Sequence, residues 1–175
     1  MMTMNGKIEN KAPSALRELL GLLLKITIVV VAFVLLFTFL FGLTRYQDSY
    51  MAPAMLDGDL VVSYRLESSF AAGDLVLLSY EGKTQIRRVV AVAGDTVDIN
   101  ENGLLINGAL QQEKVAGQKT ERYAEGIAFP VTLTAGEVFV LADTRQGAAD
   151  SRLYGPVHIG DLRGVALAMF RWRGM

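Results

Sequence analysis

The sequence predicts a mainly β protein, with one N-terminal transmembrane helix followed by a compact antiparallel β domain. Three observations support this prediction. An uncharged apolar stretch covers residues 26–44, short apolar runs separated by glycines follow Met55, and an Asn-Gly pair lies between two of these runs. After Met55 no stretch keeps the 3.6-residue period of an amphipathic helix, so strands are the favoured element there.

The uncharged stretch is long enough to cross a bilayer. As a helix, its nineteen residues span about 28 Å, close to the ~30 Å thickness of the hydrocarbon core. Lys25 can snorkel at the edge of the bilayer, so we place the anchor at residues 19–44. A cleaved secretory signal is the alternative, but its apolar core usually has ~7–15 residues. An uncleaved anchor is therefore favoured.

The anchor divides the chain into a tail, residues 1–18, and a domain, residues 45–175. Four basic residues lie before the uncharged stretch, and only Arg45 closely follows it. Because positively charged residues stay on the cytoplasmic side, the tail is predicted to be cytoplasmic. The protein is thus expected in the plasma membrane, single-pass, with its C-terminal domain extracytoplasmic.

The domain contains apolar runs of strand length, and Gly-Asp pairs mark turns between them. Asn102-Gly103 separates two further runs, which predicts a hairpin with a type I′ turn, since that turn needs positive φ at both central residues. The polar segment Gln111–Gly126 is predicted to be a mobile excursion. The runs predicted as strands are residues 60–62, 75–78, 89–92, 97–99, 104–106, 138–141 and 165–167.

The composition excludes several kinds of site. The chain has no cysteine, which excludes disulfides, thiolate catalysis and zinc-cysteine sites. Its net charge of −1 gives no general attraction to nucleic acid. The single histidine, His158, lies in a turn-like setting and is interpreted as a surface residue. No metal and no cofactor is predicted.

Three motifs follow the anchor in order. The first is Asp-Ser-Tyr-Met-Ala-Pro from Asp48, the second is Arg-Arg-Val-Val from Arg87, and the third runs from Ala142 to Arg152 and ends in Asp-Ser-Arg. Behind a single anchor, this set resembles the motifs of the type I signal peptidases, which cleave signal peptides with a serine nucleophile and a lysine general base. The resemblance covers the anchor and nearly all of the domain, and it implies a signal-peptidase-like β fold.

Both positions of the family's catalytic dyad are changed. Tyr50 stands in the nucleophile position and Arg87 in the base position. A guanidinium stays protonated in proteins, so Arg87 cannot take a proton from a nucleophile. Asp48 replaces a serine of the oxyanion hole, where its carboxylate would repel a developing oxyanion, and Ala148 replaces a serine that positions the lysine. The resemblance therefore implies a site without intact catalytic residues.

The other matching residues are implied to bind a peptide or to support the groove that holds it. Arg87 is also expected to offer a fixed positive charge to a carboxylate of the partner. The resemblance further implies that Arg88 pairs with Asp143, and Asp150 with Arg152. The peptide-binding set is Tyr50, Met51, Pro53 and Arg87. The structural set is Arg88, Asp143, Arg145, Asp150, Ser151 and Arg152.

The sequence thus predicts a non-catalytic, signal-peptidase-like membrane protein that binds an extended segment of an exported protein by strand addition. It resembles the accessory factors of sortase-assembled pili in Gram-positive bacteria, which implies a chaperone role for a pilin, with a sortase as a further partner. One alternative is an active type I signal peptidase, a serine endopeptidase with an atypical site. Its nearest substitutes are Ser49, expected to face away from the groove, and Lys83, about 13 Å from Arg87 along the strand. A paralogue without a role is the other alternative.

Overall fold

The computed structural model describes residues 12–112 and 119–171. Residues 1–11 of the predicted cytoplasmic tail and residues 113–118 of the predicted mobile excursion lie outside the described residues. The chain separates into two compact units, residues 1–39 and residues 40–175. Each unit is described by itself.

Within the described residues, the first unit is formed by one long helix. This helix, α1, covers Ala12–Leu40, and its segment Ala15–Leu40 has a mean hydropathy of 2.9 and is long enough to cross a membrane. Apolar side chains are exposed all around it, as at Val29 and Phe33. A helix that is apolar on every face suits lipid rather than water. The predicted membrane anchor is therefore supported.

The anchor ends earlier than the sequence indicates. The predicted span reaches Thr44, whereas α1 ends at Leu40 and a strand, β1, covers Phe41–Arg45. This strand pairs antiparallel with a second strand, β2 (Leu60–Tyr64). The end of the helix and the strand that follows it are both uncharged. The sequence therefore gives no signal at the boundary between them.

The second unit is built from antiparallel sheets, as predicted, and every strand pairing within the described residues is antiparallel. The larger sheet has the strand order β1-β2-β11-β3-β4-β9-β10, and the smaller has the order β7-β6-β5-β8. All seven predicted runs lie in strands. Beyond β1 and β2, the strands are β3 (Leu75–Tyr80), β4 (Lys83–Val92), β5 (Thr96–Asn100), β6 (Gly103–Ile106), β7 (Ala109–Leu110), β8 (Val131–Thr132), β9 (Glu137–Leu141), β10 (Val157–His158) and β11 (Leu162–Phe170).

The predicted hairpin is formed by β5 and β6, but its turn differs from the prediction. The turn lies at Glu101-Asn102, one residue earlier than Asn102-Gly103. The side chain of Asn100 accepts the Asn102 amide at 2.8 Å, which stabilises the turn at this earlier position. Positive φ at two successive turn residues occurs instead at Asn107-Gly108, 52° and 79°, between β6 and β7.

Apolar side chains on the inner faces of the sheets form the core of the domain. One cluster lies under the smaller sheet and includes Ile99 and Phe139, which have no exposed surface. A second cluster packs Tyr46, Met51 and Ala148 against strands of the larger sheet. The second cluster holds the segment after β1 against the loop after β9, and so it positions the first and third motifs beside each other.

Candidate functional site

The two dyad positions lie together, as their resemblance to the family implies. Tyr50 lies in the turn after β1, and Arg87 lies in the first half of β4. The guanidinium carbon of Arg87 is 5.7 Å from the centre of the Tyr50 ring, within the range of a cation–π contact. Tyr50 is partly exposed, whereas Arg87 is only 1% exposed.

The guanidinium of Arg87 is held by three different segments of the chain. Its Nη1 donates to Asp48 Oδ2 at 3.1 Å and to the carbonyl of Ile86 at 2.7 Å. Its Nε donates to the carbonyl of Ala149 at 2.9 Å. A buried cation needs such partners, because an unpaired one carries a large desolvation cost. The expectation that Arg87 offers a free positive charge to a partner is therefore wrong, since Asp48 already neutralises it.

The other oxygen of Asp48 binds the segment around the nucleophile position. Asp48 Oδ1 accepts the backbone amide of Tyr50 at 2.8 Å, and it also accepts the hydroxyl of Tyr46. In turn, the Tyr46 oxygen accepts the amide of Met51 at 3.0 Å. Burial, followed by the hydrogen bond to Asp48, raises the pKa of the Tyr46 hydroxyl, so this group stays protonated and donates. Asp48 thus acts as the acceptor at the centre of a polar network.

This network also occupies a backbone amide beside the nucleophile position. In acyl transfer, backbone amides at the nucleophile commonly stabilise the oxyanion. The amide of Tyr50 is occupied by a carboxylate here, and a carboxylate also repels negative charge. At the position of the lysine-orienting serine, Ala148 places a methyl group in the core. Its carbonyl accepts the hydroxyl of Tyr123 at 2.9 Å. Among the described residues, the Tyr50 amide is therefore bound to Asp48 and is not a free donor.

A groove of about 770 Å³ opens beside these residues. Its walls come from residues 43–50 and residues 80–87, and Gly147 and Ala149 also line it. Many of the lining side chains are polar, including Gln47, Lys83 and Thr84. Such a lining fits the backbone and polar side chains of a peptide better than a wholly apolar segment.

One wall of the groove is the unpaired edge of β4. Within the described residues, β9 begins to pair with β4 only at Arg88, so the earlier half of β4 pairs with β3 alone. The Val89 amide donates to the carbonyl of Asp74 on the β3 side. By the alternation of an antiparallel ladder, the backbone groups of Thr84 and Ile86 point to the open side. The Ile86 carbonyl is taken by Arg87, which leaves Thr84 as the residue with both backbone groups available.

Only part of the predicted peptide-binding set lines this groove. Tyr50 and Arg87 do so, but Met51 has no exposed surface and packs in the core. Pro53 is exposed and is not among the lining residues. The correction follows from the turn at residues 49–54, which buries Met51 and leaves Pro53, two residues later, exposed. Ser49 is exposed and outside the lining, as expected.

The ion pairs implied by the resemblance are present. Arg88 binds Asp143 through Nε at 2.8 Å and Nη2 at 2.6 Å, and this hydrogen bond raises the pKa of the Arg88 guanidinium. Asp150 binds Arg152 at 2.8 Å, and both side chains are at most 2% exposed. Neither pair lines the groove. Arg88–Asp143 joins β4 to the loop after β9, and Asp150–Arg152 lies within the third motif.

A short helix organises the third motif. This helix, α2, covers Ser151–Tyr154, and Asp150 caps its N-terminus by accepting the amide of Arg152. The hydroxyl of Ser151 accepts the amide of Val140 at 3.0 Å, which links the helix to β9. The aspartate and the serine of Asp-Ser-Arg therefore have structural partners of their own, in keeping with the structural set of the sequence analysis.

Residues 119–126 are held against the domain by hydrogen bonds and a ring contact. They do not form the mobile excursion that their polar composition predicts. Thr120 is fully buried and its hydroxyl accepts Arg145 Nε at 2.8 Å. Arg152 donates to the carbonyl of Glu121 at 3.1 Å and stacks on the ring of Tyr123 at 4.3 Å. Buried arginines from the third motif thus hold this polar segment in place.

In the part of the chain that the structure describes, the groove has neither a metal-binding cluster nor a histidine in its lining. Within residues 12–112 and 119–171, no three acidic or histidine side chains come together in the way that a metal ion would need. His158 is exposed, and its Nδ1 accepts the amide of Gly160 at 3.1 Å. Its position agrees with the interpretation of a surface residue.

Comparison with known proteins gives consistent matches. The family model described as signal peptidase, peptidase S26, matches residues 19–172. A signal peptidase I of Bacillus licheniformis is 30% identical over 155 residues, which cover 82% of this chain and 83% of that protein. Signal peptidase I S of Bacillus subtilis is 27% identical over 137 residues, covering 73% of this chain and 74% of that protein. The crystal structure of a signal peptidase I from Enterococcus faecalis aligns with a TM-score of 0.46 and 23% identity, covering 56% of this chain and 97% of that one.

Proposed function

This chain belongs to the signal peptidase family, peptidase S26, and we propose that it is a member that binds an exported protein without cleaving it. One observation carries the proposal. The dyad positions hold Tyr50 and a buried Arg87 that is paired with Asp48, while the groove beside them stays open along the edge of β4. In this proposal the protein lacks the catalytic dyad but keeps an open strand edge that can hold an extended chain.

The proposed binding mode is the addition of one strand to the edge of β4. The partner's backbone pairs with the amide and carbonyl of Thr84 and with the amide of Ile86. Pairing ends at Arg87, because its guanidinium already occupies the Ile86 carbonyl. We further propose that the domain lies outside the plasma membrane with the N-terminus in the cytoplasm, where a translocated pilin is the partner and a sortase acts nearby. The pilus role follows from the sequence resemblance alone.

The absence of cleavage is tested with the purified full-length protein and a signal-peptide substrate. We expect no product. The variant Tyr50→Ser/Arg87→Lys is expected to stay inactive as well, because Asp48 would still bind the amide at position 50 and would hold a lysine at position 87 in its protonated form. Activity is expected at the earliest when Asp48→Ser is added. Cleavage by the unaltered protein that disappears in Ser49→Ala or Lys83→Ala would instead establish an active peptidase with an atypical site.

Binding is tested by photocrosslinking from the groove in living cells. A photoreactive residue at position 84 is expected to capture an exported protein, whereas the same residue at Asn102, in the exposed turn of the smaller sheet, is the matched control. Substitution of Arg87 is unsuitable for this purpose, since a buried residue tests stability rather than contact. Equal capture from positions 84 and 102, or none from position 84, would show that the groove is not the binding surface.

A further inference from the structure

A second cavity, separate from the centre of the groove, is lined by basic and hydroxyl side chains. It has a volume of about 330 Å³ and contains no acidic residue in its lining. The guanidinium groups of Arg65 and Arg163 contribute the charge. Within residues 12–112 and 119–171 neither of them forms an ion pair, in contrast to Arg87, Arg88 and Arg152.

The hydroxyl groups of this cavity are available to a ligand. Ser63 is only 2% exposed, and it lines the cavity. Thr84 accepts only a long bond from Arg163, at 3.4 Å, and Thr44 adds a third hydroxyl. Each of these hydroxyls can donate a hydrogen bond to an oxygen of a ligand in the cavity.

A glycine keeps the cavity open. Gly42 lies within β1 and has no positive φ, so its backbone conformation does not require glycine. A Cβ at this position would lie 2.6 Å from the Ser63 hydroxyl and 3.1 Å from Arg65 Nε. Any side chain at position 42 would therefore push into the space between the hydroxyl and the guanidinium.

We propose that this cavity binds a phosphate group, and specifically that of an anionic phospholipid. Two guanidinium groups and several hydroxyls are the donors that phosphate oxygens select. The lipid source is favoured by position, because the amide of Arg65 bonds to the carbonyl of Leu40, the last residue of α1, at 2.9 Å. The apolar segment of α1 has 26 residues, about 39 Å of helix, so its end reaches beyond a ~30 Å hydrocarbon core into the headgroup layer.

Two exposed apolar residues directly follow cavity residues in the sequence, Leu43 after Gly42 and Leu66 after Arg65, in keeping with a lipid ligand. Leu43 is 66% exposed and Leu66 is 48% exposed. A surface that joins cationic heads to apolar side chains suits the interface of a bilayer. An acidic side chain of a groove-bound partner is the competing ligand, because the cavity shares Thr44 and Thr84 with the groove.

The test is calorimetric titration of the full-length protein in a neutral detergent with three probes. These are monomeric short-chain phosphatidylglycerol, the matching phosphatidylcholine, and inorganic phosphate. We expect phosphatidylglycerol to bind, and Arg65→Gln and Arg163→Gln each to weaken it roughly tenfold or more, as the loss of a charged hydrogen bond predicts. Gly42→Ala should weaken it without a change of charge. Lys119→Gln, which removes one exposed positive charge elsewhere, is the matched control and should have no effect.

The outcomes separate the possible ligands. Binding of phosphatidylglycerol well above that of inorganic phosphate supports a lipid headgroup, while equally tight binding of both, lost in the same variants, identifies free phosphate as a sufficient ligand of the same site. The proposal is overturned if the arginine variants bind phosphatidylglycerol normally, or if Lys119→Gln weakens binding as much as they do. It is also overturned if the arginine variants keep lipid binding and lose only the crosslink from position 84.

Discussion

Replacing Asp48 by alanine is expected to destabilise the domain strongly, because it removes the counter-charge of a buried guanidinium. Arg87 is 1% exposed, while Asp48 is 23% exposed. The two side chains therefore differ in burial. The loss in the free energy of unfolding depends on which of them remains without its partner. A double-mutant cycle with Arg87→Met, a change that keeps an unbranched side chain of similar length, measures this inequality.

The expected magnitudes follow from the contacts that remain. Asp48→Ala leaves Arg87 with two carbonyl acceptors and no counter-charge, and it frees the Tyr50 amide. We expect a loss of about 3 kcal/mol in the free energy of unfolding, the lower end for a broken buried pair. Arg87→Met leaves a carboxylate that is partly solvated and still accepts two donors, so the expected loss is about 1–2 kcal/mol. The double variant should lose less than the sum, with a coupling of about 2 kcal/mol.

The free energy of unfolding is measured by urea unfolding of the full-length protein in detergent. Pulse proteolysis reports the folded fraction at each urea concentration. Asp98→Ala is the matched control, because its ion pair with Arg122 is 32% and 46% exposed and should contribute less than about 1 kcal/mol. If Asp48→Ala costs no more than this control, or if the two site substitutions add within about 0.5 kcal/mol, then Asp48 and Arg87 do not form the coupled pair described above.

Three further predictions concern the frame of the domain and its placement. Arg88→Met should lower the free energy of unfolding by about 3–5 kcal/mol, because Asp143 is 1% exposed and would lose its counter-charge. Asp143→Asn should lower it by only about 1–2 kcal/mol. Equal losses in urea unfolding would contradict this asymmetry. The raised pKa of Tyr46 means that only the unfolded state loses this proton near pH 10, so stability should be complete below about pH 10 and fall above it. Tyr46→Phe should make this fall shallower, and an unchanged slope would show that other groups cause it. Protease added to intact protoplasts should digest the chain after Arg45, and protection until lysis would refute the proposed orientation.

Most of the fold follows from local patterns in the sequence. Apolar runs of strand length between Gly-Asp turns are sufficient to place strands such as β3 and β9, since each run buries one or both faces of a sheet. The boundary between α1 and β1 is not visible in the same way, because both elements are apolar on either side of Leu40. The Asn-Gly preference predicts the turn of the β5–β6 hairpin one residue late, because the side chain of Asn100 accepts the Asn102 amide and stabilises the earlier turn.

The sequence predicts which residues meet at the candidate site, but it predicts only part of what each of them does there. Matching motifs indicated that Tyr50 and Arg87 meet. The ion pair between Asp48 and Arg87 joins residues 39 positions apart, and no local pattern reports such a partner. Tyr46 has no motif of its own, although its phenol lies in the centre of the network. From the sequence, Asp48 predicts repulsion of an oxyanion and Arg87 predicts a free positive charge. In the structure the two side chains form an ion pair and neutralise each other.

The open edge of β4 also bears on self-association of the protein. An unpaired edge strand is a template on which a second copy of the same chain can add and begin an aggregate. Arg87 occupies the Ile86 carbonyl, which is one of the groups that such a copy needs. Lys83 adds an exposed charge at the start of the strand, and lysines on edge strands disfavour pairing with further copies. The free part of the edge is therefore short, and it disfavours homotypic fibres, which need a long continuous ladder.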